Sequence, residues 1–183
     1  MPSYRFPKPY ADAVAKLRVP SGFLLLGAFL WLAAPSLRSL FWGVPMALAG
    51  LWLRAWAAGH LEKNERLVSS GPYRFLRSPL YAGTLLVAAG LTLAAQEWGL
   101  LLLMGIVFAA VYWPRMELED QHLRDLFEDY PEYAEQVPLL WPRFPGIASP
   151  GEFRWRLYLR NEEYKAALAF LGAMAFLVYR IRI

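Results

Sequence analysis

Five long apolar segments constrain the fold of this 183-residue chain. They occupy residues 22–34, 40–58, 79–95, 98–113 and 166–179, and Arg54 is the one charged residue within them. A helix needs about 20 mostly apolar residues to cross a bilayer. The hydrophobic share of 57% also exceeds the roughly 45–50% of soluble domains. We therefore predict an all-α, polytopic membrane protein with about five transmembrane helices.

The third and fourth apolar segments should form a helical hairpin. Only Gln96 and Glu97 separate them, and so short a turn makes consecutive helices antiparallel neighbours. Small residues along a membrane helix allow close contact with a neighbouring helix. The hairpin offers such surfaces at Gly83, Gly90, Gly99 and Gly105.

Two points stay open in the sequence. Arg54 lies near the end of the second apolar segment, where its side chain can either extend to the interface or face a ligand. The last apolar segment is short, so it can either span the membrane or lie on the surface as a peripheral helix.

The chain has no internal repeat and no linker, which favours a single membrane domain over residues 1–183. Residues 10–19 place apolar side chains at helical spacing and charges off that stripe. This pattern predicts a helix at the membrane surface within the N-terminal segment. The predicted order is an interfacial segment (1–20), four membrane helices (21–113), a cytosolic catalytic helix and loop (114–160) and a C-terminal membrane helix (161–183).

The net charge of +4 and the pI near 9.4 are interpreted as signals for membrane topology and for contact with anionic lipid, not with nucleic acid. The absence of cysteine excludes disulfides and thiolate metal ligands. His60 and His122 are the only histidines, so no metal site is expected, and both are predicted to be polar residues at the interface.

Span counting places two polar segments on one face of the membrane. Residues 71–81 and 117–142 are separated by the hairpin, which crosses the membrane twice, so both must emerge on the same side. Basic residues precede the first span or follow the second at Arg5, Lys8, Lys16, Arg18, Lys63, Arg66, Arg74 and Arg77. The opposite loops contain only Arg38, so the positive-inside rule predicts that both polar segments are cytosolic in an inner or plasma membrane.

The residues of these two segments resemble a known signature. Gly71-Pro72-Tyr73 is followed by Arg77-Ser78-Pro79-Leu80-Tyr81-Ala82-Gly83, and Glu119 is followed by Tyr130-Pro131-Glu132-Tyr133 and by Val137-Pro138-Leu139-Leu140-Trp141-Pro142. The pattern resembles that of the isoprenylcysteine carboxyl methyltransferase and phospholipid methyltransferase group of integral membrane enzymes. The resemblance covers roughly residues 60–142.

The resemblance implies an S-adenosylmethionine-dependent methyltransferase. It implies that the cytosolic cofactor pocket is built from the loop after the second span and from the helix and loop after the fourth. The implied cofactor-binding residues are Gly71, Pro72, Tyr73, Arg77, Ser78, Tyr81, Glu119, Tyr130, Leu140 and Pro142. Arg77 and Glu119 are the implied catalytic residues. The sequence departs from the group in having Ser78 for a histidine, Leu118 for the first residue of a Glu-Glu pair, and Leu126-Phe127 for Phe-Gly.

The acceptor is left open. The resemblance implies a membrane lipid or a lipophilic small molecule as the acceptor. A carboxylate acceptor needs only desolvation and a cation to hold it, whereas a phospholipid amine must also lose a proton. A non-catalytic membrane module that binds lipid or cofactor is the alternative function. A nicotinamide-dependent reductase is disfavoured because no Gly-x-Gly-x-x-Gly follows a strand.

Overall fold

The regular structure is helical throughout the described part of the chain. The structure, a computed structural model, describes residues 10, 14 and 16–182. The elements are α1 (Arg18–Leu32), α2 (Leu37–Ala58), a 3₁₀ turn (Gly71–Arg74), α3 (Pro79–Ala95), α4 (Trp98–Leu126), α5 (Tyr130–Gln136), α6 (Trp155–Arg160) and α7 (Tyr164–Ile181). The all-α prediction is confirmed. The predicted interfacial helix over 10–19 falls largely outside the described residues.

Three of these helices are long and apolar enough to cross a membrane, namely α2, α4 and α7. The last apolar segment therefore has the length of a span, with 18 residues in α7. The helices α1 and α3 are also apolar but shorter, with 15 and 17 residues. The chain is a polytopic integral membrane protein, and five spans remain the prediction for their number.

One end of the bundle collects four helix termini. Ser39 at the start of α2 donates a hydrogen bond of 2.7 Å to the carbonyl oxygen of Ala94 near the end of α3. Arg180 near the end of α7 donates to the carbonyl oxygen of Ala33, just after α1, at 3.1 and 3.2 Å. The other ends of these helices therefore lie toward the opposite end of the bundle, where the polar segments are found.

The backbones of α2 and α3 are in direct contact through glycine. A Cβ atom placed on Gly43 would lie 2.4 Å from the carbonyl oxygen of Gly90, and one on Gly83 would also meet the backbone of α2. The close contact predicted for Gly83 and Gly90 is thus present, and its partner helix is α2. Among the described residues, Gly99 and Gly105 meet no other helix in this way, so that part of the prediction is wrong.

Local residues explain the hairpin turn between α3 and α4 and the long helix that follows it. Gln96 ends α3 in the left-handed conformation, and the Glu97 side chain accepts a hydrogen bond from the N–H of Gly99 at 3.3 Å. Within α4, a wider π-helical turn over Phe108–Tyr112 precedes Pro114. Proline lacks an N–H and crowds the preceding turn, and a π turn relieves both effects. The helix α4 therefore continues without a break from apolar to charged residues.

Candidate functional site

A cavity of about 640 Å³ lies at the end of the bundle where α2 ends and α3 begins. This volume falls within the range of about 300–1,000 Å³ that small-molecule sites occupy. Its walls come from the connector after α2, the start of α3, the charged part of α4 and the start of α5. Six residues predicted from the sequence line it, namely Tyr73, Arg77, Ser78, Tyr81, Glu119 and Tyr130. The structure thus brings the two predicted segments together around one cavity.

The other four predicted residues are not part of the cavity lining. Pro72 and Leu140 are buried, and Pro142 is exposed. Gly71 has a φ of +59°, and a Cβ atom there would lie 2.5 Å from the ring of His60. Glycine alone suits this conformation and this space. Gly71 thus lets the 3₁₀ turn pack directly on His60.

His60 packs against Gly71 and is buried within the protein, and its predicted place at the membrane interface stays a prediction. Its Nδ1 lies 3.0 Å from the hydroxyl oxygen of Ser70. Burial lowers the pKa of His60, and the positive charge of Arg154 lowers it further. A neutral imidazole is therefore favoured here, where it fixes the chain immediately before the 3₁₀ turn.

Hydrogen bonds join the two motif segments directly. The backbone N–H of Arg77 donates to the carbonyl oxygen of Pro138 at 2.9 Å, and that of Ser78 donates to Leu139 at 3.0 Å. The hydroxyl of Tyr133 donates to the carbonyl oxygen of Tyr73 at 2.7 Å. Ser78 precedes α3, but its side chain forms no capping hydrogen bond. Its role in joining the segments is therefore carried by its backbone.

The Arg77 side chain is already committed to Asp120. These two residues form an ion pair, and their side chains are only 12% and 10% exposed. The hydroxyl of Tyr130 donates to Asp120 at 2.7 Å, and Arg124 donates to its second oxygen at 3.0 Å. Arg77 thus joins α3 to α4 and α5, and the group it neutralises within the protein is the carboxylate of Asp120.

Asp120 is the main site residue that sequence reasoning missed. The Glu-Glu element was matched to positions 118 and 119, and Leu118 was counted as a departure. In the structure the two acidic cavity residues of this region are Glu119 and its neighbour Asp120, while Leu118 adds an apolar contact to the lining. The adjacent pair of acids was the signal available in the sequence.

Glu119 presents an exposed carboxylate to the cavity. It accepts a hydrogen bond of 3.0 Å from the hydroxyl of Tyr81, so this contact joins α3 and α4 across the site. The pKa of Tyr73 is raised, first by burial and then by the negative charge of Glu119. Burial likewise raises the pKa of Tyr130 and of Tyr133. These phenols stay protonated at neutral pH, so Glu119 is the better proton or hydrogen-bond acceptor.

Arg54 also lines the cavity, which supports the second of its two interpretations. Its guanidinium donates to both carboxylate oxygens of Glu163 at 2.7 and 3.0 Å, and to the carbonyl oxygen of Leu80 at 3.2 Å. A third partner is the hydroxyl of Thr84. A charged group at this depth is stabilised by such partners. The pair fixes the start of α7 against α2 and α3.

These features define a class of protein, a helical membrane protein with a small-molecule cavity at one end of its bundle. The sequence model of the phospholipid methyltransferase family matches residues 37–130, just over half of the chain. The chain therefore belongs to the phospholipid methyltransferase family, and the resemblance stated from its motifs is confirmed.

Curated relatives carry two kinds of name. Cobalt-zinc-cadmium resistance protein CzcN of Cupriavidus metallidurans is 32% identical over 133 residues, which cover 71% of this chain and 60% of that protein. Protein-S-isoprenylcysteine O-methyltransferase of Schizosaccharomyces pombe is 27% identical over 154 residues, covering 75% and 61%. Protein-S-isoprenylcysteine O-methyltransferase B of Arabidopsis thaliana is 31% identical over 125 residues, covering 57% and 61%.

The chain spans about three fifths of the length of these relatives. No solved structure matches it.

Proposed function

We propose that this protein transfers a methyl group from S-adenosylmethionine to a lipophilic acceptor at the cytosolic face of a cell membrane. The observation that carries the proposal is the cavity itself, in which Tyr81 and Glu119 of the two motif segments meet at 3.0 Å. Membership of the phospholipid methyltransferase family supports the reaction class. The positive-inside pattern supports the cytosolic orientation.

The side chains of the cavity fit the chemistry of this cofactor. Glu119 can accept hydrogen bonds from an ammonium group or from ribose hydroxyls. Lys63 can hold a carboxylate. The Nε of Arg77 is buried and has no hydrogen-bond partner among the described residues. The rings of Tyr73 and Tyr81 offer faces for adenine or for a cation.

When bound, S-adenosylmethionine would supply a methyl group on a positively charged sulfur, which would be left as a neutral thioether after the methyl group moves to the acceptor lone pair. The protein must therefore orient the acceptor and exclude water. Tyr81 orients the Glu119 carboxylate, and the Arg77–Asp120 pair holds α3 and α4 at a fixed separation.

The acceptor is either a lipophilic carboxylate or a phospholipid amine. A carboxylate acceptor becomes a neutral ester and releases no proton. An amine acceptor must give up a proton, and Glu119 is the carboxylate exposed in the cavity to receive it. The names of two relatives favour the carboxylate, since both are isoprenylcysteine O-methyltransferases.

The relative CzcN is named for resistance to cobalt, zinc and cadmium. Within the described residues, no group of three or more histidine, aspartate or glutamate side chains is placed to hold a metal ion.

The test is methyl transfer by the purified full chain. The protein in lipid nanodiscs is incubated with methyl-tritiated S-adenosylmethionine and a total membrane lipid extract. We expect label in the organic phase, with base-labile label if an ester forms and base-stable label if an amine is methylated. Cofactor binding without any labelled lipid would contradict the proposal and would instead support the non-catalytic binding module.

A further inference from the structure

Two cations that line the cavity have no carboxylate partner among the described residues. Its other arginines are paired with carboxylates, as Arg54 is with Glu163 and Arg77 with Asp120, while the more exposed Arg66 lies 3.8 Å from Glu62. Lys63 and Arg115 also line the cavity, and neither forms a hydrogen bond or an ion pair with any side chain in the described part of the protein. Cations left unpaired in a cavity are available to an anionic ligand.

These two cations lie at different depths. Lys63 is exposed and belongs to the polar connector after α2, at the aqueous side of the cavity. Arg115 is half-buried and is the first charged residue of α4 after its apolar stretch, directly behind Trp113 and Pro114. Tryptophan and arginine at the end of an apolar stretch mark the level of the lipid headgroups. Arg115 therefore lies where the cavity meets the membrane.

The positions of Arg115 and Glu119 show how the α4 wall of the cavity is ordered from the aqueous side to the lipid side. They are four positions apart on α4, so their side chains share a face about 6 Å apart along the axis. Tyr112, one turn before, lies on the same face and also lines the cavity. Going from water toward lipid, the α4 wall thus presents a carboxylate, a guanidinium and a ring. A ligand that spans this wall meets the guanidinium on its lipid side.

We infer that Arg115 is the acceptor-binding residue, and that it selects lipophilic acceptors bearing an oxyanion, either a carboxylate or a phosphate. A guanidinium binds both groups through two parallel hydrogen bonds. Arg77 is unsuited to this task because its charge is already balanced by Asp120. Calling this ligand the methyl acceptor rests on the proposed function. The binding of an anionic lipophile at Arg115 requires neither cofactor nor turnover.

The test measures binding of matched amphiphiles to the full chain in a neutral detergent by calorimetry. One arm compares palmitate with methyl palmitate, and the other compares hexadecyl phosphate with hexadecanol. We expect the wild-type protein to bind the charged member of at least one pair about tenfold more tightly. The arm that shows the preference identifies carboxylate or phosphate as the recognised group.

Two substitutions decide whether Arg115 is responsible. Arg115→Gln should bind the charged and uncharged members of the pair about equally, and Arg115→Lys should retain part of the preference. Arg156→Gln, which removes an exposed cation outside the cavity, is the matched control and should leave the preference unchanged. An unchanged preference in Arg115→Gln, its loss in Arg156→Gln, or no preference in the wild type would each overturn the inference. Cofactor binding, measured separately on Arg115→Gln, shows that the variant is folded and tests the proposed function independently.

Discussion

Asp120→Asn should destabilise the protein more than any other single change in the cavity wall. The substitution leaves the buried Arg77 guanidinium without its counter-charge and weakens the contacts from Tyr130 and Arg124. Removing one member of a buried ion pair costs about 3–5 kcal/mol. For a chain of this size the apparent melting temperature should fall by roughly 10 °C. Thermal unfolding in detergent measures the effect, and cofactor affinity should fall with it.

Two further variants make this expectation specific. Asp125→Asn removes an exposed carboxylate from the same helix and should leave the melting temperature unchanged. The double variant Arg77→Gln with Asp120→Asn should be more stable than Asp120→Asn alone, because no buried charge is left unpaired. A double variant that is less stable than Asp120→Asn would show that the network does not stabilise the wall as described.

Glu119→Gln should have the opposite profile, with a large loss of cofactor affinity and little change in stability. Glu119 is exposed in the cavity, and its described contact is the hydrogen bond from Tyr81. Losing a charge-assisted hydrogen bond to the ligand weakens binding by about 10- to 100-fold. Calorimetric titration with S-adenosylhomocysteine measures the affinity, and thermal unfolding of the same sample measures the stability.

The control for this variant is Glu135→Gln, which removes an exposed carboxylate outside the cavity. It should bind the ligand as the wild type does. Tyr81→Phe keeps the ring but loses the hydroxyl that orients Glu119, so its affinity should lie between those of the wild type and Glu119→Gln. Wild-type affinity in Glu119→Gln would remove this residue from the site.

The fold was predictable because its main signals are local. Runs of apolar residues give the helices, and the two polar residues between α3 and α4 give the hairpin. Span counting alone brought residues 71–81 and 117–142 to one face, and the structure places both around one cavity. None of these steps requires knowing how a helix is rotated about its axis.

What the sequence could not predict depends on helix rotation and on distant partners. The rotation of α4 turns both Glu119 and Asp120 toward the cavity, and only the structure shows which of them pairs with Arg77. Arg54 meets Glu163 across 109 residues of chain. The glycines of α3 pack on α2, which the sequence left open, since spacing along the chain identifies a small-residue face without identifying what packs on it.

The cavity between the two motif segments is proposed to bind S-adenosylmethionine. The most direct measurement is calorimetric titration of S-adenosylhomocysteine, the product form of the cofactor, into the purified full chain in nanodiscs. We predict saturable binding of one ligand molecule per chain that weakens in Glu119→Gln but not in Glu135→Gln. A folded wild-type protein that binds no ligand, or a Glu119→Gln variant that binds as tightly as the wild type, would contradict the claim.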